Sequence, residues 1–235
     1  MAKWNSSPAV GLTTSADTPN LKAKLEVGER IAREARNGDV IGFGSGSTSV
    51  IAIQALAARI KTEKLSCLAI PTSAEVEMIC ATLSIPTTTL IADRPDWAFD
   101  GADEVDPKGD VLKGRGGAMF REKMVFRSAA RRYILVDSSK LVPTLGQKFP
   151  IPVEVFPAAT ELVDLALRSL GAIEVHLRKA AGKDGPVITE AGNFILDVRF
   201  LGIEPGLEKE IKAITGVIES GLFQGFSPEV IVAKN

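Results

Sequence analysis

From Leu21 to Asn37 the apolar side chains Leu21, Leu25, Ile31, Ala32 and Ala35 recur near helical spacing, and Asn37-Gly38 supplies a stop. Beyond that point short strand-like runs alternate with longer helical ones: strand 39–44, helix 48–61, strand 66–71, helix 73–84, strands 87–91 and 96–100, helix 119–130 and strand 132–136. This alternation predicts an α/β fold with a doubly wound, mostly parallel, Rossmann-like sheet. Between Pro143 and Pro157 four prolines, Gly146 and Lys148 break the texture. The pattern then reads strand 151–156, helix 160–170, strands 172–179 and 193–200, helix 205–214 and strand 217–219, the split βαβ order of a ferredoxin-like α+β unit. The expected division is a tail over 1–20, an α/β catalytic domain over 21–146 to which 216–235 returns, and a smaller domain over 147–215.

The first twenty residues, MAKWNSSPAVGLTTSADTPN, follow neither period. Rich in Ser, Thr and Pro, they read as a flexible tail or as a targeting remnant, and the lack of Arg makes a poor transit peptide. Composition is that of a soluble globular chain, 45% apolar and 24% charged. With 28 Lys and Arg against 29 Asp and Glu, a net charge of −1 and no dense basic run, a nucleic-acid partner is not expected. Cys67 and Cys80 are too few for a disulfide framework and lack zinc-site spacing, so they are expected as reduced core residues of a cytoplasmic protein. No apolar run approaches the ~18 residues of a membrane span, and no leader pattern is seen.

Four stretches carry candidate chemistry. In GFGSGSTS, Gly42 to Ser49, three glycines alternate with Ser45, Ser47 and Thr48 where a strand gives way to a helix. Bare backbone and hydroxyls at a helix N-terminus suit a phosphate. Neither the dinucleotide nor the nucleoside-triphosphate fingerprint is present, so a small phosphoester fits better. A plain turn with Ser47 or Thr48 as N-cap is the competing reading. In DGADEVD four acids fall within seven residues. Solvated turn charges explain many such clusters, but at a strand's carboxyl end Asp100 and Asp103 can hold sugar hydroxyls and move protons. In KGRGGAMFREK, Lys113 and the N–H groups around Gly114 to Gly117 could stabilise an oxyanion, with Glu122 as proton carrier. Spacing alone slightly favours a solvated helix face of Arg121, Glu122 and Lys123. In ILVDSSK, Asp137, two serines and Lys140 end another strand, as a loop cap or a further phosphate contact. His176, the lone histidine, lies on a strand without a partner motif and reads as structural.

These four motifs occur in the order and spacing of ribose 5-phosphate isomerase, type A, and the chain resembles that family from about Lys24 to PEVIVAKN, including TEAGNFILD and GVIESGLF. The resemblance implies cofactor-free, metal-free interconversion of ribose 5-phosphate and ribulose 5-phosphate through an enediolate, in the non-oxidative pentose phosphate pathway. It implies Glu122 as general base, Asp100 and Asp103 as the carboxylates that open the furanose ring, and Lys113 as the cation beside the enediolate. It implies substrate contacts at Lys24, Ser45, Gly46, Ser47, Thr48, Gly101, Ala102, Gly114, Gly116 and Lys140. A homodimer or tetramer is implied as well. Two departures stand out: Ser45 replaces the family's usual Thr, which keeps the hydroxyl, and Arg115 interrupts a usual Lys-Gly-Gly-Gly. If the family needs positive φ at 115, an Arg there is strained; if only its N–H matters, the side chain can point outward. A coenzyme A transferase-like enzyme would use a glutamate as nucleophile and needs neither Asp100, Asp103 nor Lys113. A sugar-phosphate sensor would keep the loop without the base.

Overall fold

The structure, a computed structural model, describes residues 18–233, so the expected tail lies, up to residue 17, outside the described residues. In chain order the elements are α1 (Leu21–Ala32), β1 (Val40–Phe43), α2 (Ser47–Glu63), β2 (Leu68–Pro71), α3 (Ala74–Leu83), β3 (Trp97–Gly101), β4 (Glu104–Val105), β5 (Val111–Leu112) and α4 (Met119–Ser128). There follow β6 (Arg131–Val136), β7 (Ile151–Val155), α5 (Thr160–Ser169), β8 (Glu174–Leu177), β9 (Phe194–Arg199), α6 (Leu207–Ala213), β10 (Val217–Ser220), β11 (Leu222–Phe223) and β12 (Glu229–Val232). The α/β class expected from the alternation is the one observed. Contacts divide the described chain into two compact units, one holding residues 18–101, Val125–Ser138 and residues 230–233, the other Ala102–Met124 and Ser139–Glu229.

The first unit is built on a five-stranded sheet of order β12-β6-β3-β1-β2. β1 pairs in parallel with β2 and β3, and β3 with β6. Strands of this kind are apolar over their whole length because both faces are covered. Trp97, Phe99 and Phe43 are fully buried, with Phe43 and Phe99 ring centroids 5.3 Å apart and Trp97 edge-on to Tyr133 at 5.8 Å. The Trp97 Nε1–H finds Asp39 Oδ2 at 2.8 Å. Helix α3 starts at the N-cap Ser73, whose hydroxyl accepts from Val76 N at 3.2 Å, with Glu75 and Glu77 in the first turn where the helix dipole favours acids.

The expected strand over 87–91 is not formed. The chain makes only the bridge from Ala69 to Thr87, and then the Thr88 hydroxyl donates to Asp93 Oδ2 at 2.5 Å while Ala92 N bonds Thr89 O, closing a turn that leaves Ile91 exposed. Thr-rich apolar runs read as strand by propensity, but a hydroxyl-carboxylate closure competes locally with the ladder.

In the second unit, β10-β7-β9-β8 form an antiparallel sheet in the order of a ferredoxin-like βαββαβ unit, backed by Val163 and Leu167 of α5 and Ile211 of α6. A second sheet of order β11-β5-β4, too short to show in the sequence pattern, is formed by two-residue strands. Cys67 and Cys80 are free and buried, and burial pushes the Cys80 thiol up to about 12, as befits inert core thiols. Among the described residues no helix is long and apolar enough to cross a membrane.

Glu154 of β7 is fully buried. Its Oε1 accepts from the Thr189 hydroxyl at 2.7 Å and Asn193 Nδ2 at 2.9 Å, which pins the turn before β9, while Oε2 has no hydrogen-bond partner among the described residues. Burial raises this carboxyl above its ordinary value, ahead of the two hydrogen bonds that lower it. The folded protein therefore holds this proton at a pH where the unfolded chain has released it, so stability from this group is full below the ordinary glutamate range and is lost as pH rises through the raised folded value. Glu154→Gln abolishes the titration and is expected to gain melting temperature relative to the parent between about pH 4 and pH 7. A melting-temperature difference that stays constant across that range would show Glu154 to be charged in the fold.

Candidate active site

The α/β unit groups one set of the candidate residues. After β1 the chain turns over Gly44, Ser45 and Gly46 into α2, and the N-cap is Gly46 at φ 87°, with no side-chain cap. The capping role weighed for Ser47 and Thr48 is corrected: both lie inside the first turn. The first helical bond is Val50 N to Gly46 O at 2.9 Å, so the N–H groups of Ser47, Thr48 and Ser49 have no intrahelical partner and stand at the positive end of the helix dipole. Lys24 Nζ of α1 donates to Ser47 Oγ at 2.8 Å, bringing an ammonium to this turn.

Ser45 is placed differently from the expected direct donor. Its hydroxyl lies 2.8 Å from Thr72 Oγ1 and donates to Ser73 Oγ at 2.9 Å, and Thr72 in turn donates to Phe43 O at 2.9 Å. Thr72 and Ser73 thus tie the Gly-rich turn to the carboxyl end of β2. The sequence pattern puts Ser73 at a helix start and Thr72 between strand and helix; two hydroxyls directly after a strand were the available signal.

Asp100, on β3, is 1% exposed. Its Oδ1 accepts from Gly101 N at 2.7 Å and from Ser49 Oγ at 3.3 Å. A Cβ at residue 44 would stand 2.2 Å from Asp100 Cγ and 2.6 Å from Phe99 O, so Gly44 is bare because the carboxylate fills the space a side chain would take. A Cβ on Gly101 would lie 3.6 Å from Thr48 Cβ, which places Gly101 beside the same turn.

The second unit groups the remaining set. The acidic cluster separates by task. Asp106 Oδ1 accepts from the N–H groups of Lys108 and Asp110, both at 2.9 Å, closing a turn. Glu104, fully buried, accepts from the N–H groups of Gly146, Lys148 and Phe149 at 2.6, 2.6 and 2.9 Å, and so fixes the Pro-rich segment. Ala102 and Asp103, both half-buried, lead into β4, and Asp103 N bonds Leu112 O. Burial raises the Asp103 carboxyl above the ordinary carboxylate range, against the pull of Lys113, Lys140, Arg115 and the Arg115 backbone N–H.

Lys113 follows β5, and Glu122 sits in the first turn of α4. Both are 4% exposed, and the Lys113 ammonium donates to Glu122 Oε2. The solvated-face reading is therefore corrected: of the three charged neighbours only Arg121 keeps to the surface, 3.6 Å from Glu190, while Glu122 and Lys123 are buried. In the connecting loop Gly114 (φ 110°) and Gly117 (φ 76°) adopt the left-handed backbone, whereas Arg115 and Gly116 do not. Arg115 is thus unstrained; its side chain is exposed with Cζ 5.4 Å from the Phe149 ring, and Lys140 Nζ lies 5.5 Å from that same ring. His176 is exposed on β8, 3.8 Å from Glu174. Among the described residues no cluster of three His, Cys, Asp or Glu side chains could hold a metal ion.

Comparison with known proteins adds a family to this geometry. Residues 68–235 match the ribose 5-phosphate isomerase A (phosphoriboisomerase A) family. The chain is 46% identical over 208 residues to the ribose-5-phosphate isomerase A of Methanothermobacter thermautotrophicus, covering 88% of this chain and 91% of that one. It is 42% identical over 225 residues to that of Gloeothece citriformis, covering 94% of each. Among solved structures it is similar to ribose 5-phosphate isomerase A of Methanocaldococcus jannaschii, with a TM-score of 0.88 and 43% identity over 92% of this chain and 96% of that one. It is also similar to a D-ribose-5-phosphate isomerase in complex with phospho-erythronic acid, with a TM-score of 0.87 and 37% identity over 91% of this chain and 94% of that one.

The two Gly-rich turns make opposite demands on an added methyl. Gly44→Ala forces a Cβ into Asp100 and the β3 backbone and is expected to cost about 1–3 kcal/mol, as overpacking does. Gly116→Ala meets nothing within 4 Å at an ordinary φ and should stay within about 0.5 kcal/mol of the parent. Denaturant unfolding of both variants checks this, and equal stabilities would mean that Asp100 does not occupy the space beside Gly44.

Proposed function

We propose that this chain, which belongs to the ribose 5-phosphate isomerase A family, interconverts D-ribose 5-phosphate and D-ribulose 5-phosphate, with Glu122 as the base that carries the proton between C2 and C1. The observation that carries the residue assignment is the buried Lys113–Glu122 pair. An aldose-ketose isomerisation needs one base able to take a proton from one carbon and return it to the next, and a cation for the oxygen that becomes anionic between those steps. Glu122 takes the C2 proton, leaving an enediolate whose negative oxygen Lys113 stabilises. The protonated Glu122 then delivers the proton to C1, while the O2 hydroxyl proton moves to O1 and the carbonyl forms at C2. Atoms balance without an external oxidant or reductant.

The other residues take the remaining tasks. The uncapped N–H groups of Ser47, Thr48 and Ser49, the Ser47 and Thr48 hydroxyls and Lys24 suit the phosphate, with Gly46 leaving the backbone open to it. Lys140 is assigned to the phosphate as well. Asp100 and Asp103 open the furanose ring, and the raised carboxyl of Asp103 suits a group that lends a proton to the ring oxygen. Ala102, Gly114 and Gly116 offer backbone N–H groups to the sugar, and Gly101 lines it with an N–H that is held by Asp100. The family supports a cytoplasmic homo-oligomer, dimer or tetramer, acting in the non-oxidative pentose phosphate pathway.

Glu122→Gln keeps the shape of the side chain and removes its basicity. Ketose formation from ribose 5-phosphate is expected to fall by about 10²- to 10⁴-fold in kcat, with KM changed far less, and exchange of the C2 proton with solvent should vanish. Turnover within a few-fold of the parent would return the base to Asp100 or Asp103. A second measurement follows from Lys113 supplying the positive charge: activity should survive a chelator, and loss restored by Mg²⁺ would assign the enediolate to a metal.

A further inference from the structure

Next to Glu122 lies a second buried charge for which the isomerisation has no evident use. Lys123 is 4% exposed, and its ammonium donates to Glu208 Oε1 at 2.9 Å, Glu219 Oε1 at 2.8 Å and Leu222 O at 2.6 Å. An ammonium has three N–H donors, and these three acceptors match them in number, leaving it poorly suited to binding a ligand. Its acceptors are themselves held: Glu208 Oε2 takes the N–H of Gln224 at 2.6 Å, and Glu219 Oε1 takes that of Ser220 at 2.8 Å.

The place of this cluster is more telling than its charge. Leu222 and Phe223 form β11, which pairs with β5 so that Leu222 faces Leu112, and Lys113 N bonds Gly221 O at 2.9 Å. The contacts close a ring: from Lys113 along the β5–β11 ladder to Leu222 O, across to Lys123 Nζ, back through α4 to Glu122, and from its carboxylate to the Lys113 ammonium. The Phe223 ring lies in the same ring of contacts, its centroid 4.7 Å from Lys123 Nζ and 5.6 Å from Lys113 Nζ. We infer that Lys123 is a positioning residue for the isomerisation, one that locks the first turn of α4 to β11 and thereby fixes the Glu122 carboxylate against Lys113; this rests on Glu122 being the base.

A buried lysine that served packing alone would lower stability and leave the kinetics of the folded enzyme unchanged. Positioning makes a different demand, since a base displaced by about 1 Å can cost on the order of 10²-fold in rate. Lys123→Met is expected to lower kcat by about 10- to 100-fold with KM within about threefold of the parent, measured on protein whose near-ultraviolet dichroism is native. Because Met leaves Glu208 without its cation and Glu219 with Lys212 alone, 3.4 Å away, Lys123→Met/Glu208→Gln, which removes one charge of each sign, carries the same test should the single variant not fold. In a Glu122→Gln background there is no base left to position, so Lys123→Met should change kcat by less than about twofold there. A folded Lys123 variant with parental kcat, or effects of the two substitutions that multiply, overturns the inference while Glu122 remains the base. A Glu122→Gln enzyme as active as the parent overturns the base assignment and this inference with it.

Discussion

A carboxylate and an ammonium buried together, each 4% exposed, impose the strictest condition in this molecule. Either of Glu122 and Lys113 alone at that depth would cost several kcal/mol in lost hydration, whereas together, in good geometry, they largely offset it. Each must therefore be delivered to the other by backbone that has little freedom. Glu122 comes on the first turn of α4, where the helix dipole favours a negative charge. Lys113 comes from the end of β5, a two-residue strand clamped between β4 and β11. The loop between them turns through left-handed backbone at Gly114 and Gly117.

The same logic of burying a charge only where the backbone has been cleared for it governs Asp100. The carboxylate takes the space that a side chain at 44 would need, and Ser49 and Gly101 N supply its donors. The helix that contributes Ser49 also presents its uncapped N-terminus from the same turn. One short stretch thus has bare backbone at two places: at Gly44, where the Asp100 carboxylate fills the space, and at Gly46, where a Cβ would meet nothing within 4 Å. The two serve different steps of the proposed chemistry, ring opening and phosphate anchoring.

Much of this was legible along the chain because it depends on local repetition. Period and punctuation marked the alternating strands and helices of the sheet and the βαββαβ order of the second unit, since a strand covered on both faces reads as a short apolar run and a helix packed on it is apolar at a fixed spacing. The motifs GFGSGSTS, DGADEVD and KGRGGAMFREK could be read as chemistry because each sits at an element's end, where side chains and backbone groups are free to serve a ligand. Arg115 could be weighed but not decided: whether its φ is positive is a property of the folded loop, which assigns that burden to Gly114 and Gly117.

What only the tertiary structure decided are the partners brought from far along the chain. Glu104 reads as one acid among four, and becomes the anchor of the loop at 146–149 through bonds spanning more than forty residues. Lys123 reads as a solvated helix charge, and is buried by carboxylates 85 and 96 positions away. The strand expected at 87–91 gives way to a turn closed by Thr88 and Asp93. The two-residue strands β4, β5 and β11 carry no periodic signal at all, because two residues are one period. The sequence by itself determined the longer helices and strands and where polar groups gather at their ends, both encoded in spacing of a few residues. Which charges are buried, and against what, was decided by the fold, since burial depends on contacts between segments whose separation no local pattern records.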